Sequence, residues 1–204
     1  MGNGNEKYVV PDEWLPQGEV LALGGPKPLA IWSGIPGEEA LVRLDYRGRN
    51  RNHAHFVSTE TPSPHRVTPP CERYSLCGGC PLMHLDAEGQ EKTRRDLVEH
   101  ALAAEGLGDV AVGAYHASPD GLTDFRHVVK LGFGYSDQGR MRVGAWARRT
   151  GHIVPIPGCP VAVHVLRQTM ISLAHHAIEN EIRPWDAETG RGVLPGATLP
   201  ASPT

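Results

Sequence analysis

The chain of 204 residues is 40% hydrophobic and 21% charged, enough apolar content to bury the core of one large or two small domains and too much for a disordered or fibrous protein. Glycine (24 residues) and proline (18) are abundant, which favours short strands and turns; no apolar run approaches the ~20 residues of a membrane span and the first residues lack a secretory pattern, so a cytoplasmic protein without a membrane partner is expected. The formal net charge of −3 is unevenly spread, with six arginines against three acids over 41–73 and seven basic residues against Asp137 alone over 125–167, a distribution that suits either phosphate backbones or solvated strand faces.

Residues 1–17 read as a flexible polar tail. Residues 18–66 then carry four or five short strand-like segments (18–23, 29–33, 38–46, 53–61) punctuated by Gly24-Gly25-Pro26 and Pro62-Ser63-Pro64, the pattern of a small β-barrel. A cysteine-rich loop follows. From Asp86 a helix is expected to about Gly106, with Leu97, Val98, Ala101, Leu102 and Leu107 at core spacing and acids in its first turns. Strands are expected over 110–116, 125–135, 141–147 and 152–156, with Asp137-Gln138-Gly139 as a hairpin turn, and Pro160 opens a second helix that ends before Pro184. The fold class is therefore α+β: a barrel at 18–66, a cysteine loop with a mixed α/β central domain at 67–189, and a Pro-rich end at 190–204 without a clear final element.

Cys71, Cys77, Cys80 and Cys159 are the four cysteines of the chain. Disulfides are disfavoured in the cytoplasm, so three clustered thiols and one distant one point to a metal centre. Soft thiolates select zinc or an iron-sulfur cluster, and unliganded thiols remain the third reading. Gly78 and Gly79 lie inside the tight loop, where backbone can approach a bulky inorganic group. Four protein thiolates leave no open coordination position, so a structural centre is expected rather than a hydrolytic one.

At these residues the sequence resembles the N-terminal half of the RNA uracil-5 methyltransferases, S-adenosylmethionine-dependent enzymes that form 5-methyluridine in ribosomal and transfer RNA. Ser63-Pro64-His65-Arg66 before Pro70-Cys71 resembles the exit of the family's RNA-binding TRAM barrel, and Cys77-Gly78-Gly79-Cys80 with Leu82 and His84 its cluster loop, with Met83 where a Gln is common. Phe125-Arg126-His127 with Lys130 resembles a Tyr-Arg-Asn-Lys strand. Val143-Gly144-Ala145-Trp146, then His152-Ile153-Val154-Pro155-Ile156 and Cys159-Pro160, resembles the segment that ends in the last Cys ligand. The resemblance implies a TRAM-like barrel, a 4Fe-4S cluster on Cys71, Cys77, Cys80 and Cys159 (zinc being the alternative), and structured rRNA or tRNA as partner.

In that family a C-terminal Rossmann-like domain holds S-adenosylmethionine, a Cys adds to C6 of the uracil and a Glu removes the C5 proton. No cysteine is left over here once four hold a cluster, and no Gly-rich turn opens a helix. The chain alone is therefore expected to be catalytically inactive, as a natural truncation, a split-gene product or an excised fragment, with a separate methyltransferase domain as a possible partner. The rival readings are a standalone zinc- or cluster-containing RNA-binding module, and a nonfunctional remnant. Arg126 and Lys130, four apart on one presumed strand, are the first choice for RNA phosphate contacts, with Arg142, Arg43, Arg47 and Arg66 as further candidates. Tyr46 and Phe56 are either stacking rings or core. His84 and His152 are candidates to pack over the cluster, His175 and His176 diverge too far to chelate one ion, and Asp120 and Asp124 read as turn and cap residues.

Overall fold

The computed structural model describes residues 5–119 and 121–202. They form two compact units, Met1–Pro69 with Pro81–His116, and Pro70–Cys80 with Ala117–Thr204. Asp120 and residues 1–4 and 203–204 lie outside the described residues.

The first unit holds β1 (Glu6–Val9), β2 (Glu13–Trp14), β3 (Val20–Ala22), β4 (Leu29–Trp32), β5 (Ala40–Arg47), β6 (Asn52–Ser58) and α1 (Ala87–Ala104). The strands make one sheet in the order β1-β5-β6-β4-β3-β2, antiparallel except where β4 meets β6. Register shifts between β5 and β6 at Leu41/Val42 and Leu44/Tyr46 bend the longest pair. The sheet curls into a half-barrel over Val20, Leu29, Ile31, Val42 and Ala54. β1 and β2 remain its edges, so the expected small barrel takes the form of an open, curled sheet.

Those two edge strands occupy the stretch expected to be a polar tail. β1 pairs with β5 from Glu6↔Arg43 to Val9↔Ala40. Its polar composition is that of an edge strand with exposed side chains, which sequence pattern alone does not separate from a tail. The unit also includes 81–116, which had been expected in the central domain. Leu82 and Leu85 join Ile35 in a second apolar cluster beside Trp14.

α1 forms as expected, and Asp86 is its N-cap, the Oδ1 accepting from the Gly89 N–H at 2.7 Å. The helix buries Gly89, Gln90 and Thr93, not the predicted Leu97–Leu107 stripe, of which Val98 and Leu107 are exposed. A Cβ at Gly89 would stand 2.8 Å from His65 Cβ, so close approach of the first turns sets which face is covered. The expected strand at 110–116 is an irregular segment held by Arg94, which donates to Tyr115 Oη at 2.7 Å, and by Arg95, which donates to the Gly113 carbonyl at 3.0 Å.

The second unit holds β7 (Val128–Tyr135), β8 (Met141–Trp146), β9 (Ile153–Val154), α2 (His164–Glu179) and β10 (Ala197–Pro200). The sheet order is β10-β7-β8-β9, antiparallel throughout, and the β7–β8 hairpin turns at Gly139 with φ +71°. Val129, Leu131, Phe133 and Val143 are buried on the strands and Leu166, Met170 and Ala177 on α2. Two expectations change. The Pro-rich end contributes β10, an edge strand in which proline is tolerated, and α2 starts at His164 rather than Pro160. No helix of the described residues is long and apolar enough to cross a membrane.

Buried polar groups fix the half-barrel. Glu38 is 1% exposed and Arg66 11%; Arg66 Nε donates to Glu38 at 2.7 Å, Nη2 donates to the Ser33 carbonyl at 2.9 Å, and the guanidinium lies 3.9 Å from the Phe56 ring centroid. His84 is fully buried, with Nε2 donating to the Gly34 carbonyl at 3.0 Å. Burial, then the Arg66 charge, lowers its pKa to about 4. The unfolded chain therefore binds this proton more tightly, and the stability that neutral His84 carries is present above pH ~6.5 and lost as pH falls through about 4. Urea unfolding measured over this window is expected to lose stability with a slope approaching ~1.4 kcal/mol per pH unit from this group, and His84→Gln to flatten that component.

Candidate metal centre and nucleic-acid interface

Cys71, Cys77, Cys80 and Cys159 all belong to the second unit. The Cys71–Cys80 loop is built from tight turns: Tyr74 N–H donates to the Cys71 carbonyl at 3.0 Å and Cys77 N–H to the Arg73 carbonyl at 2.7 Å. Cys77 bridges antiparallel to Ala147, and Arg148 N–H donates to the Leu76 carbonyl at 3.3 Å. These bonds seat the loop against the end of β8. Cys159 is 9% exposed and follows β9 through a turn closed by its N–H on the Ile156 carbonyl at 3.2 Å.

Arg126 joins the two cysteine-bearing segments. Its N–H donates to the Val161 carbonyl at 2.7 Å and its carbonyl accepts from Val163 at 3.1 Å, which holds 161–163 extended and delays α2. Its Nη2 donates to the Gly79 carbonyl at 2.8 Å and stands 3.8 Å from Cys80 Sγ. A Cβ at Gly79 would lie 3.2 Å from Arg126 Nη1 and 3.5 Å from Cys77 Sγ, so glycine leaves room for both. Arg126 precedes β7 rather than lying on it. The reading of Arg126 and Lys130 as one phosphate-facing pair is replaced: the guanidinium faces the cysteine loop.

The sulfurs feel one another. The Cys77 thiol is raised above its ordinary pKa by burial first, with Cys159 and Cys71 adding to the rise while the Gly79 N–H and Arg126 oppose it. Cys80 is raised by burial too, against Arg126, with Cys159, Cys77 and Cys71 adding. Burial and the neighbouring sulfurs thus hold Cys77 and Cys80 protonated, and a soft cation removes that penalty. Among the described residues no trio of His, Cys, Asp or Glu stands at ion-holding distances. The donor set itself, four thiols with a backbone N–H and a guanidinium aimed at two of them, fits a thiolate-held centre.

The candidate RNA contacts separate into inward and outward groups. Arg66 is occupied by Glu38, Ser33 and Phe56 and serves the half-barrel, not a ligand. Arg43 donates to Glu6 at 2.6 Å, and Arg47 is exposed at the end of β5. Tyr46 is 55% exposed and stacks on His53 at 5.2 Å, whereas Phe56 packs against the core. Lys130 and Arg142 are exposed on β7 and β8, and among the described residues neither is paired with a carboxylate. His84 lies in the half-barrel rather than over a cluster, His175 pairs with Glu179 at 3.2 Å, and Asp124 accepts from Arg167 at 2.6 Å. Charge and position in sequence did not reveal that Arg126 is a positioning group for the thiols.

Two outcomes are expected for the centre. Anaerobically purified chain should be brown with about four irons and matching sulfide, and Cys159→Ser and Arg126→Gln should lower that content; a single tightly bound zinc favours the alternative. In the metal-free chain Cys77 and Cys80 should alkylate slowly at neutral pH and faster above their raised pKa values, and metal uptake should release protons and weaken as pH falls.

The chain matches no family-level sequence profile. It is 30% identical over 140 residues to the 23S rRNA (uracil(1939)-C(5))-methyltransferase RlmD of Halomonas elongata, covering 69% of this chain and 29% of that protein. The enzyme of the same name from Chromohalobacter salexigens is 31% identical over 151 residues, 72% of this chain and 30% of the relative. An uncharacterized RNA methyltransferase of Listeria monocytogenes is 29% identical over 169 residues, 81% of this chain and 36% of the relative. In fold, the chain is similar to the crystal structure of a Pyrococcus abyssi tRNA (uracil-54, C5)-methyltransferase in complex with S-adenosyl-L-homocysteine, with a TM-score of 0.64, 22% identity, and coverage of 95% of this chain and 42% of that one. The chain thus spans about 30% of the length of the RlmD relatives. Its homologues are RlmD and related RNA methyltransferases, and the likeness is to their N-terminal part.

Proposed function

We propose that this chain is the RNA-binding, cluster-holding part of an RNA uracil-C5 methyltransferase acting on rRNA or tRNA in the cytoplasm. The observation that carries the reading is the thiol quartet organised by Arg126, in a chain whose relatives are named as uracil-C5 RNA methyltransferases. Cys71, Cys77, Cys80 and Cys159 would hold a 4Fe-4S cluster, which supplies structural cross-linking, since methyl transfer from S-adenosylmethionine moves no net electrons. The chain's own residues bind and orient RNA. Lys130 and Arg142 offer cations on the four-stranded sheet, and Arg47 with the Tyr46–His53 stack offers charge and a ring on the half-barrel, where phosphate contacts fix register and rings take unpaired bases.

With all four cysteines assigned to the centre, the nucleophile that adds to C6 and the site for the methyl donor belong, in this reading, to another part of the enzyme, and this part presents the uridine. The test is binding of a transcribed uridine-containing rRNA or tRNA fragment across a salt series. Lys130→Ala with Arg142→Ala is expected to weaken affinity and to reduce the slope of log K against log salt by ~1 per lost phosphate contact. Arg66→Met should leave that slope unchanged while destabilising the fold. Absence of RNA binding by the metal-loaded chain would overturn the proposal.

A further inference from the structure

Trp146 is a large aromatic left open to solvent, at 51% exposure, at the end of β8. Alternation along the strand puts it on the same face as Arg142, and the Gly132↔Gly144 and Gly134↔Arg142 pairs extend that face to Lys130 on β7. This is the face opposite the one whose Leu131, Phe133 and Val143 side chains are buried. β10 adds Thr198, directly opposite Lys130. Among the described residues of these strands, no carboxylate lies on this face.

The indole is held by construction rather than by chance. A Cβ at Gly132 would stand 2.8 and 2.9 Å from Trp146 Cε2 and Cζ2 and 2.5 Å from Ile153 Cδ1. The ring therefore leans directly on the β7 backbone, with Ile153, its partner across β8–β9, packed beside it and 3% exposed. One side of the indole is fixed against the sheet and the remainder faces solvent. Ala147, the next residue, bridges to Cys77, so the ring is one residue from the strand end that carries the cysteine loop.

We propose that Trp146 is a stacking platform for an unpaired base of bound single-stranded RNA, with Lys130 and Arg142 taking the flanking phosphates. The occupant follows from the chemistry of the face: a rigid π surface between two cations, with no anion beside it, complements an alternating base and phosphate chain better than an apolar protein segment. This rests on the RNA-binding reading above and names the group that meets the bases.

The test uses the full metal-loaded chain and short oligouridine as the probe. Trp146→Ala should weaken binding about tenfold or more, the loss seen when a base-stacking ring is removed, while leaving the salt slope unaltered. Lys130→Ala and Arg142→Ala should instead reduce that slope. Trp146→Phe, which keeps a ring on Gly132, should bind more tightly than Trp146→Ala and should lose most of the tryptophan fluorescence quenching that oligouridine produces in the unsubstituted chain, a readout that also serves if Trp146→Ala fails to fold. If the chain binds oligouridine with unchanged affinity in Trp146→Ala and unchanged quenching in Trp146→Phe, the platform is overturned and the RNA-binding reading stands. If the unsubstituted chain binds neither oligouridine nor the structured fragment, both fall. Protection of Trp146 by a protein partner but not by RNA also overturns the platform.

Discussion

The backbone and guanidinium of Arg126 form the constraint on which the second unit's chemistry depends. Its main chain pairs with 161–163, just past Cys159, and its side chain reaches the Gly79 carbonyl and the Cys80 sulfur. Segments 79 residues apart in sequence, at Cys80 and Cys159, are thereby referred to one residue. An arginine suits this role because its fork of donors stays charged at every physiological pH and can serve a carbonyl and a sulfur together. Its charge also opposes the rise that burial, and then the neighbouring thiols, impose on Cys77 and Cys80.

A division of labour among cations runs through both units. Arg66 is enclosed with Glu38 under Phe56, Arg43 answers Glu6, Arg167 answers Asp124, and Arg126 serves the thiols. Lys130, Arg142 and Arg47 stay outside. A buried ion pair specifies a local arrangement more than it adds stability, whereas an exposed cation is screened and remains available to a polyanion. The positive balance of the two basic segments thus overstates the surface available to RNA.

Glycine placement connects these two themes. At position 79 the missing side chain lets a guanidinium and a thiol meet the same backbone. At position 132 it lets an indole rest on a strand. A methyl group at position 132 would collide with the indole, and one at position 79 would crowd the Arg126 guanidinium.

The β7–β8 hairpin, α1 and the strands from β3 to β6 were legible in the sequence, because each is written in local spacing: turn residues, acids in a first turn and alternation of side chains. The edge strands β1, β2 and β10 were not, since polar or proline-bearing segments become strands only when a partner offers an unpaired ladder, as β5 and β7 do. The inward roles of Arg66 and Arg126 were equally hidden, because a side chain's charge is fixed by its identity but its partner is fixed by contacts between residues dozens of positions apart. Sequence alone determined which atoms could bind metal and phosphate; the tertiary structure decided which of them face inward, because burial and long-range pairing exist only once the chain has folded.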